Sequence, residues 1–237
     1  MSEKKINFDF GGDSDFNPEN IEVEETINAV FAFDVSPSMG MSVKLGDGTE
    51  STRIAELNKA VNEFVEKMQN SHVSDNLLVS TIVFDSEVDV LTGFQPITDV
   101  DEFKLDVRGG ATALYGAARM AVDKAVDYRD SLLKTGVKAK TIIFLVTDGE
   151  NNNSPESDAE YVKETLDKLN QEEQNFMTFS AVLLGIGEDA YFEDAHEKLG
   201  FHALAKLGDD IRKAVNIISS SVSSVSNGQN VSQDVKF

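Results

Sequence analysis

Oxygen-bearing side chains occur at three places that border apolar stretches of the sequence. Residues 34–38 read D-V-S-P-S, a D-x-S-x-S pattern, and residues 148–150 read D-G-E. Between them in the chain, residues 109–114 read G-G-A-T-A-L. The three segments offer two carboxylates and three hydroxyls, which are the hard oxygen donors that Mg²⁺ and Mn²⁺ prefer. This pattern predicts a divalent-metal site wherever the fold brings the three segments together.

Five apolar runs predict the strands that would position these segments. They cover residues 29–33, 77–84, 88–94, 141–147 and 178–185. Most are continuously apolar, as in strands buried on both faces of a parallel sheet. The run at 88–94 is more mixed and closely follows the run before it, which predicts an antiparallel edge strand. Because amphipathic helical patterns lie between the runs, we predict an α/β sandwich with a mostly parallel sheet and helices on both faces.

The order of the three polar segments strengthens the metal-site prediction. A D-x-S-x-S pattern alone is a weak signal, because Asp and Ser commonly cap helices and form turns. Here residues 34–38 and 148–150 each follow a predicted strand, and residues 109–114 open a predicted helix. Ligands of such sheets bind at the carboxyl ends of the strands. The order therefore favours one binding site over a set of unrelated caps.

Composition excludes several classes of function. The chain has 237 residues, and 42 acidic against 21 basic side chains give a formal net charge of −21. This balance argues against a nucleic-acid partner, whose binders need clustered Lys and Arg, and against an anionic membrane surface. The absence of Cys excludes disulfides, Cys-ligated zinc and thiol nucleophiles. No apolar stretch reaches the ~20 residues of a membrane span, and residues 1–20 lack the apolar core of a secretory signal, so we expect a cytoplasmic protein.

The patterns divide the chain into three parts. We predict an N-terminal arm at residues 1–26, which contains two consecutive glycines, a proline and scattered acids. One folded domain follows at residues 27–226. Residues 227–237 are polar and are predicted to form a loose C-terminal tail.

With these segments the chain resembles the von Willebrand factor A (VWA) family, and it matches the family's metal-ion-dependent adhesion site (MIDAS). Asp34, Ser36 and Ser38 fit the D-x-S-x-S motif of that site. Thr112 fits its threonine, in a setting with one alanine more than the usual G-G-T, and Asp148 fits the acid of its T-D-G segment. The resemblance implies a three-layer Rossmann-like sandwich. It also implies a Mg²⁺ or Mn²⁺ ion ligated by Ser36, Ser38 and Thr112, with the two aspartates bound directly or through water.

The resemblance covers about residues 27–225 and implies a binding role. An ion held largely by neutral hydroxyls keeps much of its positive field, so it can accept a carboxylate from a partner as its open ligand. We therefore expect a metal-dependent protein-binding module that engages an Asp or Glu of another protein. Two alternatives stay open: a metal-assisted phosphohydrolase, and a structural assembly subunit that uses the same site. Ser36 stands where phosphatases with a strand-end Asp usually carry a second acid, so we expect no catalytic residues.

Two segments beside the site are expected to select the partner. Residues 41–52 are predicted to form a long flexible insertion, and residues 106–111 contain Arg108, a candidate to pair with a second acidic group. Within the family, the single-domain layout resembles the stand-alone intracellular bacterial and phage proteins. Some of these are found with tellurium-resistance and stress systems, which suggests a related role.

Overall fold

A computed structural model describes residues 25–172, 179–187, 191–229 and 231. The predicted arm at residues 1–26 lies outside these ranges apart from its last two residues, and the predicted tail at residues 227–237 is described only in part. No helix in the described part of the chain has the length and apolar composition needed to cross a lipid bilayer.

Eight strands and five α-helices form within the described residues. The strands are β1 (Glu25–Asp34), β2 (Ser42–Lys44), β3 (Glu50–Thr52), β4 (Leu77–Phe84), β5 (Val88–Pro96), β6 (Lys138–Thr147), β7 (Phe179–Ile186) and β8 (Ala203–Gly208). The helices are α1 (Arg53–Gln69), α2 (Leu114–Lys134), α3 (Glu156–Glu172), α4 (Tyr191–Leu199) and α5 (Lys213–Ser226). All five predicted strands are present, with ends that differ by a few residues.

The main sheet has the strand order β5-β4-β1-β6-β7-β8. Five strands run parallel, and β5 pairs antiparallel with β4 at one edge. This arrangement confirms the predicted mostly parallel sheet with one antiparallel edge strand. From β1 the chain moves to β4 on one side and later returns to β6 on the other side, so the strand order reverses at β1. Such a reversal opens a crevice at the carboxyl ends of the strands, here those of β1 and β6.

Helices cover both faces of the sheet and complete the predicted three-layer sandwich. Helices α1 and α5 pack on one face, and α2, α3 and α4 pack on the other. On β1, Phe31 and Phe33 point to the first face, whereas Val30 and Ala32 point to the second. The Phe31 ring stacks on Phe144 of β6 with 5.2 Å between the ring centroids. Because neither face meets water, these strands are continuously apolar and form a rigid platform for the residues at their ends.

Three short strands differ from what the sequence predicts. Residues 41–52 were expected to be a flexible insertion, and this prediction is wrong, because they contain the β2–β3 hairpin. The Leu45 N–H donates to the Thr49 carbonyl, and the Asp47 carboxylate accepts from the Thr49 N–H and hydroxyl. These local bonds order a turn whose glycines suggested flexibility. The edge strand β8 was not expected, because its six residues include no β-branched side chain.

Candidate metal centre

The two predicted aspartates lie side by side at the carboxyl edge of the sheet. Asp34 is the last residue of β1, and Asp148 directly follows Thr147, the last residue of β6. The strands are parallel, with Phe33 opposite Val146, so Asp34 meets Thr147 at the crevice. Asp148 follows one residue later at the same edge. Both aspartates are buried. Two carboxylates withdrawn from water at one edge create a strong local demand for positive charge.

Asp34 is held by hydrogen bonds to both of its carboxylate oxygens. The Ser36 N–H donates to Oδ1 at 2.8 Å, and the Thr147 hydroxyl donates to Oδ2 at 2.6 Å. Burial raises the pKa of Asp34 to about 6, although the hydrogen bonds from Thr147 and Ser36 act in the opposite direction. The nearby Asp148 adds a smaller upward effect on the same pKa. The fold therefore orients this carboxyl group but disfavours its ionised form.

The two predicted serines connect Asp34 to Asp148. A single turn of 3₁₀-helix at Pro37–Gly40 directs the Ser36 and Ser38 hydroxyls to the same side, with 3.1 Å between their Oγ atoms. The Ser38 hydroxyl donates to Asp148 Oδ1 at 2.6 Å. Four of the five predicted ligands thus form one continuous hydrogen-bonded chain.

Thr112 reaches the same edge through the loop that follows Asp148. Its N–H donates to Asn152 Oδ1 at 2.6 Å, and the Asn152 N–H donates back to the Thr112 carbonyl at 3.0 Å. The Thr112 hydroxyl oxygen lies 4.0 Å from the position that a Cβ on Gly149 would occupy. The structure therefore places the buried Thr112 beside the residue next to Asp148, which brings the fifth predicted ligand to the site.

The loop after Asp148 also caps the helix that follows Thr112. The Asn151 side chain accepts from the Tyr115 N–H at 3.4 Å, and the Ser154 hydroxyl accepts from the Gly116 N–H at 3.0 Å. Both N–H groups belong to the first turn of α2, whose own N-cap residue, Ala113, has no side chain that could accept. The run of asparagines after Asp148 was a visible signal for such turn and cap bonds, but its partner could not be predicted from the sequence.

Arg53 is a further residue of the site, and no sequence motif pointed to it. It is the first residue of α1, and its Nη1 donates to Asp148 Oδ2 at 2.7 Å. The Asp148 side chain has no exposed area, whereas that of Arg53 is 17% exposed. Asp148 therefore receives one hydrogen bond on each oxygen, from a hydroxyl and from a guanidinium.

Arg108, the cation proposed from the sequence to meet a partner, has a different partner within the fold. Its guanidinium donates to the Asp89 carboxylate of β5, and both side chains are substantially exposed. The Arg108 N–H donates to the Val35 carbonyl at 2.7 Å, so its backbone does lie against the D-x-S-x-S loop. The cation that contacts a predicted ligand is Arg53 instead.

The donor set fits a small divalent cation. Neighbouring ligand oxygens of an octahedral Mg²⁺ ion lie about 3 Å apart, and the Ser36–Ser38 separation of 3.1 Å agrees with that spacing. Across the described ranges, no group of three or more His, Cys, Asp or Glu residues is placed to hold a metal ion. Hydroxyls would therefore have to complete the ligand set here, and only hard ions accept them readily. A bound ion would neutralise the two aspartates and offer an open position to an oxygen from outside.

Solved structures of low sequence identity share this fold. The PilB minor pilin from Streptococcus sanguinis matches with a TM-score of 0.58 and 14% identity over 85% of this chain and 62% of the pilin, so the chain spans less than two thirds of that protein. The conserved hypothetical protein BatB from Bacteroides thetaiotaomicron matches with a TM-score of 0.56 and 16% identity over 85% of this chain and 99% of that chain. A von Willebrand factor type A structure from Catenulispora acidiphila has a TM-score of 0.56 and 15% identity over 81% and 42% of the two chains.

A search of curated proteins found no match. A family model does match, and it covers most of the chain. The model describes the von Willebrand factor type A domain and spans residues 28–223, from β1 to α5. The matched range contains the main sheet except the first three residues of β1, and it contains every residue of the candidate site. The chain therefore belongs to the von Willebrand factor type A domain family.

Proposed function

We propose that this chain is a metal-dependent protein-binding module with a MIDAS. Its five oxygen-bearing residues, Asp34, Ser36, Ser38, Thr112 and Asp148, would hold Mg²⁺ or Mn²⁺ at the carboxyl edge of the sheet. The observation that carries the proposal is the hydrogen-bonded chain from Asp34 through both serines to Asp148. A helix cap needs one such side chain, whereas here separate segments contribute oxygens to a single point.

The family and the charge of the chain support a protein partner that presents an acid. VWA domains generally mediate protein interactions and often bind a metal ion. The open position of a bound ion would take a carboxylate oxygen, so the partner supplies an Asp or Glu. Because the chain carries a net charge of −21, an acidic surface is repelled at distances within the ~8 Å Debye length. The partner's acid therefore lies in an otherwise neutral or basic surface, and nucleic acid and membranes are not proposed as partners.

Titration calorimetry tests the metal. Purified protein is titrated with Mg²⁺, Mn²⁺ and Zn²⁺, and the expected result is binding of the first two ions with no preference for zinc. Asp34→Ala should remove the response while circular dichroism shows a folded protein. The matched control is Asp47→Ala, which removes an exposed acid from the β2–β3 hairpin and should leave the titration unchanged. Tight zinc binding with no response to Mg²⁺ would show that the ligand set is wrong.

Affinity capture tests the partner. Protein immobilised in Mg²⁺ or in EDTA is incubated with lysate of the source cell, with Asp34→Ala as the control. Specific partners should be retained only by the wild type in Mg²⁺, and replacement of one partner Asp or Glu should abolish retention. A cytoplasmic location and a link to tellurium-resistance or stress systems stay predictions from the sequence, and the identity of the captured protein would test them.

The two alternatives make different predictions. A phosphohydrolase would turn over phosphate esters in a metal-dependent reaction that is lost in Asp34→Asn. We propose binding rather than hydrolysis because Ser36 follows Asp34 where a second acid would be needed. An assembly subunit would change its size with the metal, so sedimentation in Mg²⁺ and in EDTA should differ. Identical sedimentation in both buffers, together with metal-dependent capture, supports the binding module.

A further inference from the structure

The Arg53 guanidinium lies at the border between the candidate site and solvent. It donates to Asp148 Oδ2 at 2.7 Å, while the other oxygen of the same carboxylate accepts from Ser38. The Asp148 side chain is fully buried and that of Arg53 is 17% exposed. An ion pair shielded from water in this way exerts a larger electrostatic effect than an exposed surface pair.

The surroundings of Arg53 fix its guanidinium in this position. The Arg53 N–H donates to the Met41 carbonyl at 3.1 Å, which anchors the start of α1. Gly187, directly after β7, has a φ of +97°, and a Cβ at this position would lie 3.2 Å from Arg53 Nη2. The glycine therefore leaves space for the guanidinium. Arg53 Nε is buried and has no hydrogen-bond partner within the described residues, so the side chain keeps an unused donor.

The formal charges of the site depend on Arg53. Asp34 and Asp148 in their ionised forms, together with Arg53, carry a net charge of minus one, and the hydroxyl ligands add none. A bound divalent cation changes this net charge to plus one. Without Arg53 the same loaded site would be neutral. A site with a net positive charge attracts an incoming carboxylate more strongly, whereas the positive guanidinium repels the metal ion.

We propose that Arg53 is a specificity-determining residue of this site. It weakens the binding of the cation and strengthens the binding of a carboxylate to the cation-loaded site. The inference rests on the proposed metal-binding function and adds to it an explanation of why an anionic ligand is preferred over water or a neutral group.

Arg108 provides a matched control from the same rim of the molecule. Its guanidinium pairs with Asp89 outside the predicted ligand set, and the two side chains are 37% and 50% exposed. Such an exposed pair has little effect on the neighbouring site, because water and salt screen it. Arg108→Gln therefore removes one positive charge from the chain without changing the charge at the site.

Two measurements test the proposal on purified wild type, Arg53→Gln and Arg108→Gln. Electron paramagnetic resonance of free Mn²⁺ gives the affinity for the metal. Relaxation of the acetate methyl protons, measured with protein in excess over Mn²⁺, gives the affinity of the loaded site for a carboxylate. We expect Arg53→Gln to bind Mn²⁺ about three- to tenfold more tightly and acetate about tenfold more weakly. Arg108→Gln should match the wild type in both measurements.

A third variant separates charge from structure. Arg53→Lys keeps the positive charge and should retain most of the acetate affinity, and Arg53→Met serves as the neutral variant if Arg53→Gln does not fold. If the neutral variant binds both Mn²⁺ and acetate as the wild type does, or loses Mn²⁺ while folded, the role of Arg53 is structural and this inference is wrong. If the wild type itself binds no Mn²⁺, the proposed function fails first.

Discussion

The Thr147 hydroxyl donates a 2.6 Å hydrogen bond to Asp34 Oδ2 and so joins the carboxyl ends of β6 and β1. Both residues are fully buried. The bond orients the Asp34 carboxylate and also lowers its pKa, which burial would otherwise raise further. Thr147 is thus a positioning residue for the proposed metal ligand, although it would not itself bind the ion.

Replacement of Thr147 by the isosteric valine tests this role. Thr147→Val removes a donor from a buried carboxyl, which should lower the free energy of unfolding by about 1–3 kcal/mol in EDTA. The Mg²⁺ affinity should fall about tenfold, because an unoriented carboxyl with a higher pKa is a poorer ligand. Urea denaturation and calorimetry measure the two effects. Thr165→Val, which removes an exposed hydroxyl from α3, is the matched control, and an equal loss in both variants would contradict the role.

The raised pKa of Asp34 predicts an unusual dependence of stability on pH. The pKa is about 6 in the folded protein against an ordinary value of 3.8, so the fold disfavours the ionised form. In EDTA this effect makes the wild type less stable as the pH rises from about 4 through 6. Asp34→Asn does not ionise, so it should exceed the wild type in stability at pH 8 by about 1–3 kcal/mol, and the difference should shrink at pH 5. Denaturation curves at both pH values decide this, and a constant difference would contradict the assignment.

All five proposed ligands were predicted: four because they follow adjacent strands, and Thr112 because it opens a predicted helix and fits the family's threonine. Asp34 and Asp148 follow apolar runs, and the serines are fixed relative to Asp34 by a tight turn. Parallel strands place their carboxyl ends together, so the sequence pattern alone brings these residues to one edge. The antiparallel edge strand could be predicted because the run at 88–94 is mixed and closely follows the run before it, whereas the order of the strands in the sheet was not predicted.

The residues that were missed owe their positions to contacts between distant segments. Arg53 reaches Asp148 because α1 begins after the β2–β3 hairpin, which the sequence suggested was a flexible loop. Asn152, in the loop that follows β6, accepts a hydrogen bond from the Thr112 N–H. The sequence pattern does not predict such a contact, since the contact depends on how the fold places the two distant segments relative to each other. The cation chosen from the sequence, Arg108, was near in the chain but pairs with Asp89.

Gly110 holds the loop that precedes Thr112 in a conformation that other residues rarely adopt. Its φ is +125°, and a Cβ at this position would lie 2.3 Å from Ser86 Oγ. Gly110→Ala should therefore lower the free energy of unfolding by about 1–3 kcal/mol and weaken Mg²⁺ binding, because Thr112 is displaced. Gly109→Ala is the control, since no atom lies within 4 Å of its added Cβ. Urea denaturation and calorimetry on both variants measure the effects, and equal behaviour of the two would show that the loop tolerates the change.

Asn152 connects the loop after Asp148 to Thr112, and three variants can show whether this connection matters for the metal. Asn152→Ala removes the acceptor of the 2.6 Å bond from the Thr112 N–H, so the Thr112 hydroxyl should lose its fixed position. We expect a several-fold loss of Mg²⁺ affinity and a loss of stability of about 1 kcal/mol.

Asn152→Asp keeps an acceptor and adds a negative charge near the ion, so it should bind Mg²⁺ at least as tightly as the wild type. Asn153→Ala is the control, because it removes an exposed side chain of the same loop that donates to the Ser86 carbonyl and not to Thr112. Calorimetric titration ranks the variants, and an Asn152→Ala protein with wild-type affinity would exclude Thr112 from the ligand set or show that its position does not need the bond.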